Sequence, residues 1–185
     1  MVSGHDMPYG ATLAEDGATT RFRLWAPDVL SVQLAIDEGG VVPMNHVGGG
    51  WHERAMPVGA GTRYRFVLPQ GLSVPDPASR AQHDGDVHGW SVVVDPRSYQ
   101  WQHPDWRGRP WHETVLCEVH AGVMGGFAGV AAELPRLARM GITAVELMPV
   151  AEFPGDRNWG YDGVLPYAPS AAYGRPDELK QLVDQ

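Results

Sequence analysis

The first hundred residues alternate polar and apolar side chains in short runs that Gly, Pro and Asp separate. Arg21 and Arg23 alternate with Phe22 and Leu24, for example, as in a strand with one buried face. The same pattern predicts strands at 20–25, 31–36 and 62–68. Further strands are predicted at 41–44 and 51–56, on either side of the glycines at 48–50, and a short one at 91–94. Closely spaced strands with no helical period between them predict a β-sandwich.

The pattern changes at residue 114. Residues 115–120 form an almost continuous apolar run, typical of a strand buried on both faces in a parallel sheet. A helical apolar face follows, which we expect to end before Gly141, and 142–147 predict a second buried strand. A loop of nearly thirty residues then leads to Pro176, which suits the first turn of a second helix. Strand, helix, strand, helix is the opening of an α/β domain.

These two patterns divide the chain. We expect an N-terminal β-sandwich domain at 1–97, a linker at 98–113 and an α/β domain at 114–185. Residues 69–112 are rich in Pro, Asp, Gly and His, and they predict an irregular connector between the two.

Composition and charge exclude several classes of partner. The chain of 185 residues has a net charge of -8 and no cluster of Lys and Arg, which argues against nucleic acid. The first thirty residues contain no apolar leader, and no stretch approaches transmembrane length, so no membrane partner is expected. Cys117 is the single cysteine, so no internal disulfide can form, and a cytoplasmic location is the default expectation.

A group of glycines could indicate a cofactor site, and a group of His and Asp residues could indicate a metal site. Both groups have a simpler explanation. The glycines between the first α/β strand and its helix do not fit the G-x-G-x-x-G spacing, so we favour a tight turn over a dinucleotide site. The glycines are Gly122, Gly125, Gly126 and Gly129. A second cluster of possible ligands, in the connector, has no recognised metal-binding spacing, so we favour a solvated loop. Its members are His83, Asp84, Asp86 and His88. We therefore expect neither a cofactor nor a metal.

Three titratable residues lie in the two α/β strands. Glu118 and Glu146 on neighbouring strands could form a glycosidase pair, but both are mid-strand, so an internal polar network is favoured. His120 is the last residue of its predicted strand. Because active sites of such sheets gather at the carboxyl ends of the strands, His120 is the better candidate.

The loop at 153–163 combines aromatic and polar residues at a strand's carboxyl end, where loops often carry function. Trp159 and Tyr161, separated by a glycine, could offer flat faces to sugar rings, with Asn158 and Asp162 as hydrogen-bonding partners. The alternative is an ordered structural loop whose aromatic rings only pack. From the residues alone, the two interpretations are equally supported.

Residues 146–155 and 158–164 resemble the branch of the α-amylase superfamily that contains branching enzymes, isoamylases and trehalohydrolases. Within it, Phe-Pro-Gly at 153–155 and Tyr-Asp-Gly-Val at 161–164 are similar to the malto-oligosyltrehalose trehalohydrolases. Residues 22–27 resemble the start of the N-terminal sandwich in the whole branch, and 74–80 with 87–89 resemble the trehalohydrolase connector into the barrel. The turn at 121–127 departs from it, because the family has a longer turn there.

The resemblance implies a fold and an activity. The fold is an immunoglobulin-like sandwich of the E-set type, followed by the first two βα units of an incomplete (β/α)8 TIM barrel. The activity is hydrolysis of the α-1,4 bond that joins trehalose to a maltooligosaccharide, so the partner is maltooligosyltrehalose or a related α-glucan. The family's catalytic Asp, Glu and second Asp follow later barrel strands. We therefore expect no catalytic residue in this chain, which would be an N-terminal fragment without hydrolase activity of its own.

The resemblance also implies substrate-binding roles for His120, Trp159, Tyr161 and Asp162, with Tyr161 stacked under the glucose at the cleaved bond. Two alternatives stay open. One is a fragment of a glycogen branching or debranching enzyme, and the other is a glucan-binding module without catalysis.

Overall fold

The computed structural model describes residue 7 and residues 9–185. The remaining residues of the predicted domain 1–97, namely 1–6 and 8, lie outside the described residues. The strands of the N-terminal half are β1 Gly10–Leu13, β2 Thr20–Trp25, β3 Gln33–Ile36, β4 Gly40–Pro43, β5 Asn45–His46, β6 Trp51–Met56, β7 Arg63–Val67, β8 Ser73–Val74 and β9 Ser91–Val92.

These nine strands form two antiparallel sheets that face each other. The first has the order β1-β2-β6-β5, and the second has the order β4-β3-β7-β8, with β9 also paired to β7. Phe22 of the first sheet and Leu34, Tyr64 and Phe66 of the second are fully buried in one shared core. We call this pair of sheets the double sheet. The alternation of polar and apolar residues produces this arrangement, because each strand points its apolar side chains toward the other sheet.

Strand prediction succeeded where the alternation is strong. The bounds of β2 and β6 are confirmed, and β3, β4 and β7 lie within two residues of their predicted positions. The last predicted strand is shorter than expected, since β9 ends at Val92. The short strands β1, β5 and β8 were not predicted.

The C-terminal half begins with a parallel strand pair joined by a helix. It consists of β10 Leu116–Val119, α1 Gly126–Arg139 and β11 Ala144–Leu147. The apolar face of α1 buries Phe127 and Val130. Gly141 follows the helix with a φ of 91°, which confirms the predicted helix end.

The prediction that 115–120 is buried on both faces is wrong. Val115 is 50% exposed and Leu116 is 46% exposed. Cys117 and Val119 are half-buried, whereas Glu118 is exposed, so only one face of β10 is packed. The opposite face has no second layer over it among the described residues.

The expected internal network of Glu118 and Glu146 is also wrong. The two residues are directly paired in the parallel register of β10 and β11. Both are exposed, and no hydrogen bond or ion pair among the described residues involves their carboxylates.

A β-hairpin lies within the segment predicted as one long loop. Its strands are β12 Ala151–Glu152 and β13 Leu165–Pro169, and they pair antiparallel. The Glu152 carboxylate is buried and accepts hydrogen bonds from the N–H groups of Ala171 (2.9 Å) and Phe153 (3.3 Å). Burial raises the pKa of Glu152. This carboxylate ties β12 to the segment that follows β13.

The last helix, α2 Pro176–Asp184, begins at the predicted residue and packs against α1. Its final carboxylate, Asp184, attaches the connector. It accepts hydrogen bonds from the Tyr99 hydroxyl (2.9 Å) and from the backbone N–H groups of Gln102 (2.8 Å) and His103 (3.2 Å). The Gln102 N–H bond is the main reason why the pKa of Asp184 lies below its usual value.

No helix among the described residues is long and apolar enough to cross a lipid bilayer.

A buried carboxyl group joins the double sheet to the connector. Asp76 accepts a 2.6 Å hydrogen bond from the Tyr64 hydroxyl and a 2.8 Å hydrogen bond from the Ala78 N–H. Gly10, with a φ of 78°, packs against this group, and an added Cβ would lie 3.4 Å from Asp76 Oδ2. Burial raises the pKa of Asp76 to about 6, against the opposing effect of the hydrogen bonds.

This raised pKa predicts a pH dependence of stability. The folded chain holds the Asp76 proton more tightly than the unfolded chain, so stability from this group falls as pH rises from about 4 to about 6. Relative to the wild type, Asp76→Asn should gain about 3 kcal/mol of unfolding free energy across that interval. Urea unfolding at a series of pH values measures the difference. Asp95→Asn is the control, because a hydrogen bond from the Arg97 N–H lowers the pKa of Asp95. The difference in unfolding free energy between Asp95→Asn and the wild type should therefore not change with pH above pH 5.

Candidate functional site

The carboxyl ends of β10 and β11 lie side by side because the strands are parallel. His120 follows β10 directly, and the loop after β11 reaches over it. The His120 Nε2 lies 2.7 Å from the Asn158 carbonyl oxygen, and its Nδ1 accepts a hydrogen bond from the Val123 N–H at 3.2 Å. A carbonyl can only accept, so this arrangement places the ring hydrogen on Nε2. The imidazole therefore joins the two strand-end segments.

A cleft of about 650 Å³ opens at this edge, and we call it the strand-end cleft. Its lining residues come from the end of β10, the turn before α1, the loop after β11 and the segment before α2. They are His120, Gly122, Val123, Met148, Asp156, Arg157, Asn158, Trp159, Asp162 and Tyr173.

Three of the four predicted binding residues, His120, Trp159 and Asp162, line this cleft together. Tyr161 is not among the lining residues and is 71% exposed. Gly160 turns the chain between the two aromatic residues with a φ of 100°, and an added Cβ there would lie 2.8 Å from the Pro149 carbonyl oxygen. The binding role of all four residues stays a prediction.

Tyr173 also lines the cleft, and it was not predicted as a binding residue. It is 5% exposed, and its ring packs edge-on against His120, with centroids 5.8 Å apart. Its hydroxyl is buried and has no hydrogen-bond partner among the described residues. Burial also raises its pKa. The Tyr-Gly pair at 173–174 also resembles the α-amylase branch, and this resemblance was the one sequence signal that could have identified Tyr173.

The loop itself is held by Asn158. Its Oδ1 accepts a hydrogen bond from the Gly160 N–H, and its carbonyl receives the His120 bond described above. Its Nδ2 is buried without a partner among the described residues. Trp159, next to it, is 77% exposed, so one aromatic face is available at the rim of the cleft. An exposed indole beside amide, carboxylate and guanidinium groups is suited to a ligand rich in hydroxyl groups.

In the connector, the possible metal ligands of residues 83–88 contact other protein groups. His83 Nε2 lies 3.0 Å from Arg63 Nη1 and 3.2 Å from Asp84 Oδ2. Asp86 accepts a 2.9 Å hydrogen bond from the His88 N–H. Within residue 7 and residues 9–185, no group of three or more His, Cys, Asp or Glu side chains is placed to hold a metal ion.

Gly122 is a sensitive position in the cleft wall. An added Cβ would lie 2.6 Å from Tyr173 Cε1 and 3.0 Å from His120 Cε1, so both rings would have to move. We predict that Gly122→Ala lowers the unfolding free energy by about 1 to 3 kcal/mol, as overpacking does in other proteins. It should also shift the NMR signals of the His120 ring.

Val123→Ala is the control on the same turn. Val123 is 83% exposed, so removing its methyl groups should leave both the stability and the His120 signals almost unchanged. Denaturant unfolding and NMR measure the two effects. A Gly122→Ala variant as stable as the wild type, with unshifted His120 signals, would contradict the close packing.

Sequence comparison finds relatives that match most of this chain. The chain is 45% identical over 178 residues to a malto-oligosyltrehalose trehalohydrolase of Deinococcus radiodurans, covering 95% of this chain. It is 39% identical over 183 residues to the enzyme of the same name from Saccharolobus solfataricus, covering 97% of this chain. A branching enzyme of Xanthomonas axonopodis is 32% identical over 191 residues. No protein-family model matches the chain.

Solved structures agree in fold. The crystal structure of an alpha amylase candidate from Salmonella typhimurium matches 97% of this chain and 31% of its own length, with a TM-score of 0.92 and 46% identity. A pullulanase from Anoxybacillus, solved with maltotetraose, matches 98% of this chain and 33% of its own length, with a TM-score of 0.81. Its identity is only 20%, so it shows the fold alone.

The chain spans 29% of the Deinococcus protein and 32% of the Saccharolobus protein. Within that span the identity extends over nearly all of this chain, including both halves of the structure. The chain therefore matches, over nearly its whole length, the N-terminal part of malto-oligosyltrehalose trehalohydrolases.

Proposed function

We propose that the strand-end cleft binds an α-1,4-glucan as part of a trehalohydrolase. In the whole enzyme, the reaction is hydrolysis of the α-1,4 bond that joins trehalose to a maltooligosaccharide. The observation that carries the proposal is the grouping of His120, Trp159 and Asp162 around one cleft at the carboxyl ends of parallel strands. That edge is where enzymes built on such strands bind their substrates.

The cleft offers the contacts that a neutral sugar chain requires. The exposed face of Trp159 can stack on a pyranose ring, whose C–H groups are apolar. Asp162 supplies acceptors and Arg157 supplies donors for sugar hydroxyls. His120 already donates its Nε2 hydrogen to Asn158, so we assign it the role of holding the loop as a wall of the cleft.

The finer fold assignment belongs to the same proposal. Residues 1–97 would be an immunoglobulin-like E-set sandwich, 98–113 a linker, and 114–185 the first two βα units of a (β/α)8 barrel. The two facing antiparallel sheets and the parallel β10–α1–β11 unit support this assignment. Cys117 is a free thiol, in agreement with the cytoplasmic setting that we also propose.

We assign no catalytic residue to this chain. A retaining glycosidase needs two carboxyl groups about 5 Å apart on either side of the scissile bond. Glu118 and Glu146 lie mid-strand rather than at the strand ends where the cleft opens. The chain alone should therefore bind glucan without cleaving it.

A branching enzyme is the second candidate, because the chain is 32% identical to the Xanthomonas protein of that name. The Tyr-Asp-Gly-Val segment at 161–164 favours the trehalohydrolase over it. Incubating the whole enzyme with maltooligosyltrehalose separates the two, since only the trehalohydrolase releases free trehalose.

Binding at the strand-end cleft can be tested on this chain directly. Maltoheptaose should bind, and Trp159→Ala should weaken binding roughly tenfold through loss of one stacking face. Isothermal titration calorimetry measures the dissociation constant. Trp111→Ala is the matched control, because Trp111 is 80% exposed and lines neither this cleft nor any other described here. If the Trp159→Ala variant and the wild type had equal affinity for maltoheptaose, the proposal that the strand-end cleft binds glucan would be refuted.

Tyr161 distinguishes binding from catalysis in the whole enzyme. If its ring favours the flattened, positively charged transition state, Tyr161→Ala should lower kcat roughly 30-fold to 1000-fold. Tyr161→Phe keeps the ring and should retain substantial activity. The exposure of Tyr161 means that neither variant should change the melting temperature much. A normal kcat with a lowered melting temperature in Tyr161→Ala would mean that the ring only packs.

A further inference from the structure

Glu152 is a buried carboxylate that does not line the strand-end cleft. Its partners among the described residues are hydrogen-bond donors and no basic side chain. They are the N–H groups of Phe153 and Ala171 and the hydroxyl of Ser170. Burying a carboxylate is costly unless several donors compensate for the lost water. What the carboxylate adds over an apolar side chain is direction, because each acceptor oxygen fixes the position of a donor.

Glu152 closes the base of the loop that carries most of the cleft residues. Its backbone carbonyl oxygen accepts the Val164 N–H at 2.8 Å, where the loop returns to β13. Its Oε1 accepts the Phe153 N–H at 3.3 Å, where the loop begins. Residues 153–164 therefore start and end on this one residue. They contain half of the lining residues of the cleft, namely Asp156, Arg157, Asn158, Trp159 and Asp162.

The Glu152 carboxylate also reaches the segment before α2, which carries the lining residue Tyr173. Its Oε2 accepts the Ala171 N–H at 2.9 Å. In the same turn, the Tyr173 N–H donates a 3.0 Å hydrogen bond to the Ser170 carbonyl oxygen, and the Ser170 N–H donates a 2.7 Å hydrogen bond to the Val150 carbonyl oxygen. Tyr173 thus lies two residues from the Glu152 contact, in a turn whose backbone is held by hydrogen bonds.

Tyr173 is held by its backbone and by ring packing, because its hydroxyl has no partner among the described residues. Its carbonyl oxygen accepts the Phe127 N–H at 2.8 Å. Its ring centroid lies 5.6 Å from that of Phe153 and 5.8 Å from that of His120. Glu152 binds the N–H of Phe153 on one side and the turn of Tyr173 on the other. A change at Glu152 should therefore displace the rings that pack on each other here.

His120 is the residue where two paths from Glu152 meet. One path runs along the loop to Asn158, whose carbonyl oxygen accepts the His120 Nε2–H at 2.7 Å. The other path runs through Ala171 to Tyr173, whose ring packs edge-on against the imidazole. The His120 ring therefore reports on both walls of the cleft at once.

We propose that Glu152 is a positioning residue for glucan binding, whose carboxylate holds the loop wall and the Tyr173 wall of the strand-end cleft in register without touching the sugar. The role rests on the proposed function, because its ligand is the α-glucan assigned to this cleft above. When the two walls are not held together, only a fraction of the folded molecules presents the binding geometry. The apparent dissociation constant then rises by the inverse of that fraction.

The test compares two carboxylate-to-amide variants of this chain. Glu152→Gln keeps the size of the side chain but has one acceptor oxygen, so its amide can bind only one of the two backbone N–H groups and places an NH₂ against the other. We expect Glu152→Gln to weaken maltoheptaose binding roughly tenfold, as if about one folded molecule in ten kept the binding geometry. Isothermal titration calorimetry, well below the melting temperature, measures the dissociation constant.

Asp184→Asn is the matched control. Asp184 is also a buried carboxylate that accepts two backbone N–H bonds, from Gln102 and His103, but it holds the connector instead of the cleft. Asp184→Asn should lower the melting temperature and leave the affinity for maltoheptaose unchanged. In the ligand-free chain, the NMR signals of the His120 ring should shift in Glu152→Gln and stay in place in Asp184→Asn.

The outcomes separate the role of Glu152 from the proposed function. If the wild-type chain does not bind maltoheptaose while the His120 signals shift in Glu152→Gln, the glucan proposal fails and the positioning role stands. If Glu152→Gln binds as tightly as the wild type, or if the His120 signals do not move, the positioning role is overturned and the strand-end cleft is unaffected. Equal losses of affinity in Glu152→Gln and Asp184→Asn would also overturn it, because they would show general loosening of the fold.

A second variant decides the matter if Glu152→Gln does not fold. Ser170→Ala removes one donor to the carboxylate and leaves the two backbone bonds in place. It should weaken maltoheptaose binding by a smaller factor, roughly threefold, and shift the His120 signals in the same direction. A Ser170→Ala chain with wild-type affinity and unshifted His120 signals would overturn the positioning role.

Discussion

The parallel pairing of β10 with β11 is the constraint from which the candidate site follows. Parallel neighbours need a long crossover, and α1 supplies it, buried through Phe127 and Val130. The pairing is anchored at its start by Thr143, whose hydroxyl oxygen accepts the Val115 N–H at 2.8 Å. Once both strands run the same way, His120 and the loop containing Asn158 must emerge at one edge. The strand-end cleft is a consequence of strand direction more than of any local motif.

Sequence alone predicted the elements whose periodicity is strong. β2 alternates cleanly, because Phe22 lies in the core while Arg21 and Arg23 occupy the other face of the strand. Pro176 predicted the start of α2, because the fixed φ of proline suits the first turn of a helix. Gly141 predicted the end of α1, because glycine readily adopts the positive φ that ends a helix. His120, Trp159 and Asp162 were selected from the sequence, and the structure brings them to one cleft.

The rest depended on contacts between distant residues. The hairpin of β12 and β13 escaped prediction because β13 contains two prolines and β12 has only two residues. Its position depends on the buried Glu152, which binds the Ala171 N–H across nineteen positions. The burial of β10 was overestimated because an apolar sequence shows only that a strand could be buried. Whether each face of the strand is covered depends on the elements that pack against it. The same limit applies to Tyr173, whose contact with His120 is purely tertiary.

The attachment of the connector through Asp184 has a consequence for protein engineering. Tyr99, Gln102 and His103 bind that carboxylate, so this stretch belongs mechanically to α2. Arg97, in contrast, donates a 2.8 Å hydrogen bond to the Ala14 carbonyl oxygen and so belongs to the double sheet. A chimera that exchanges double sheets between relatives should therefore join the parent sequences between residues 98 and 99. A junction a few residues later would take Tyr99, the first of these hydrogen-bond donors, from one parent and the acceptor Asp184 from the other.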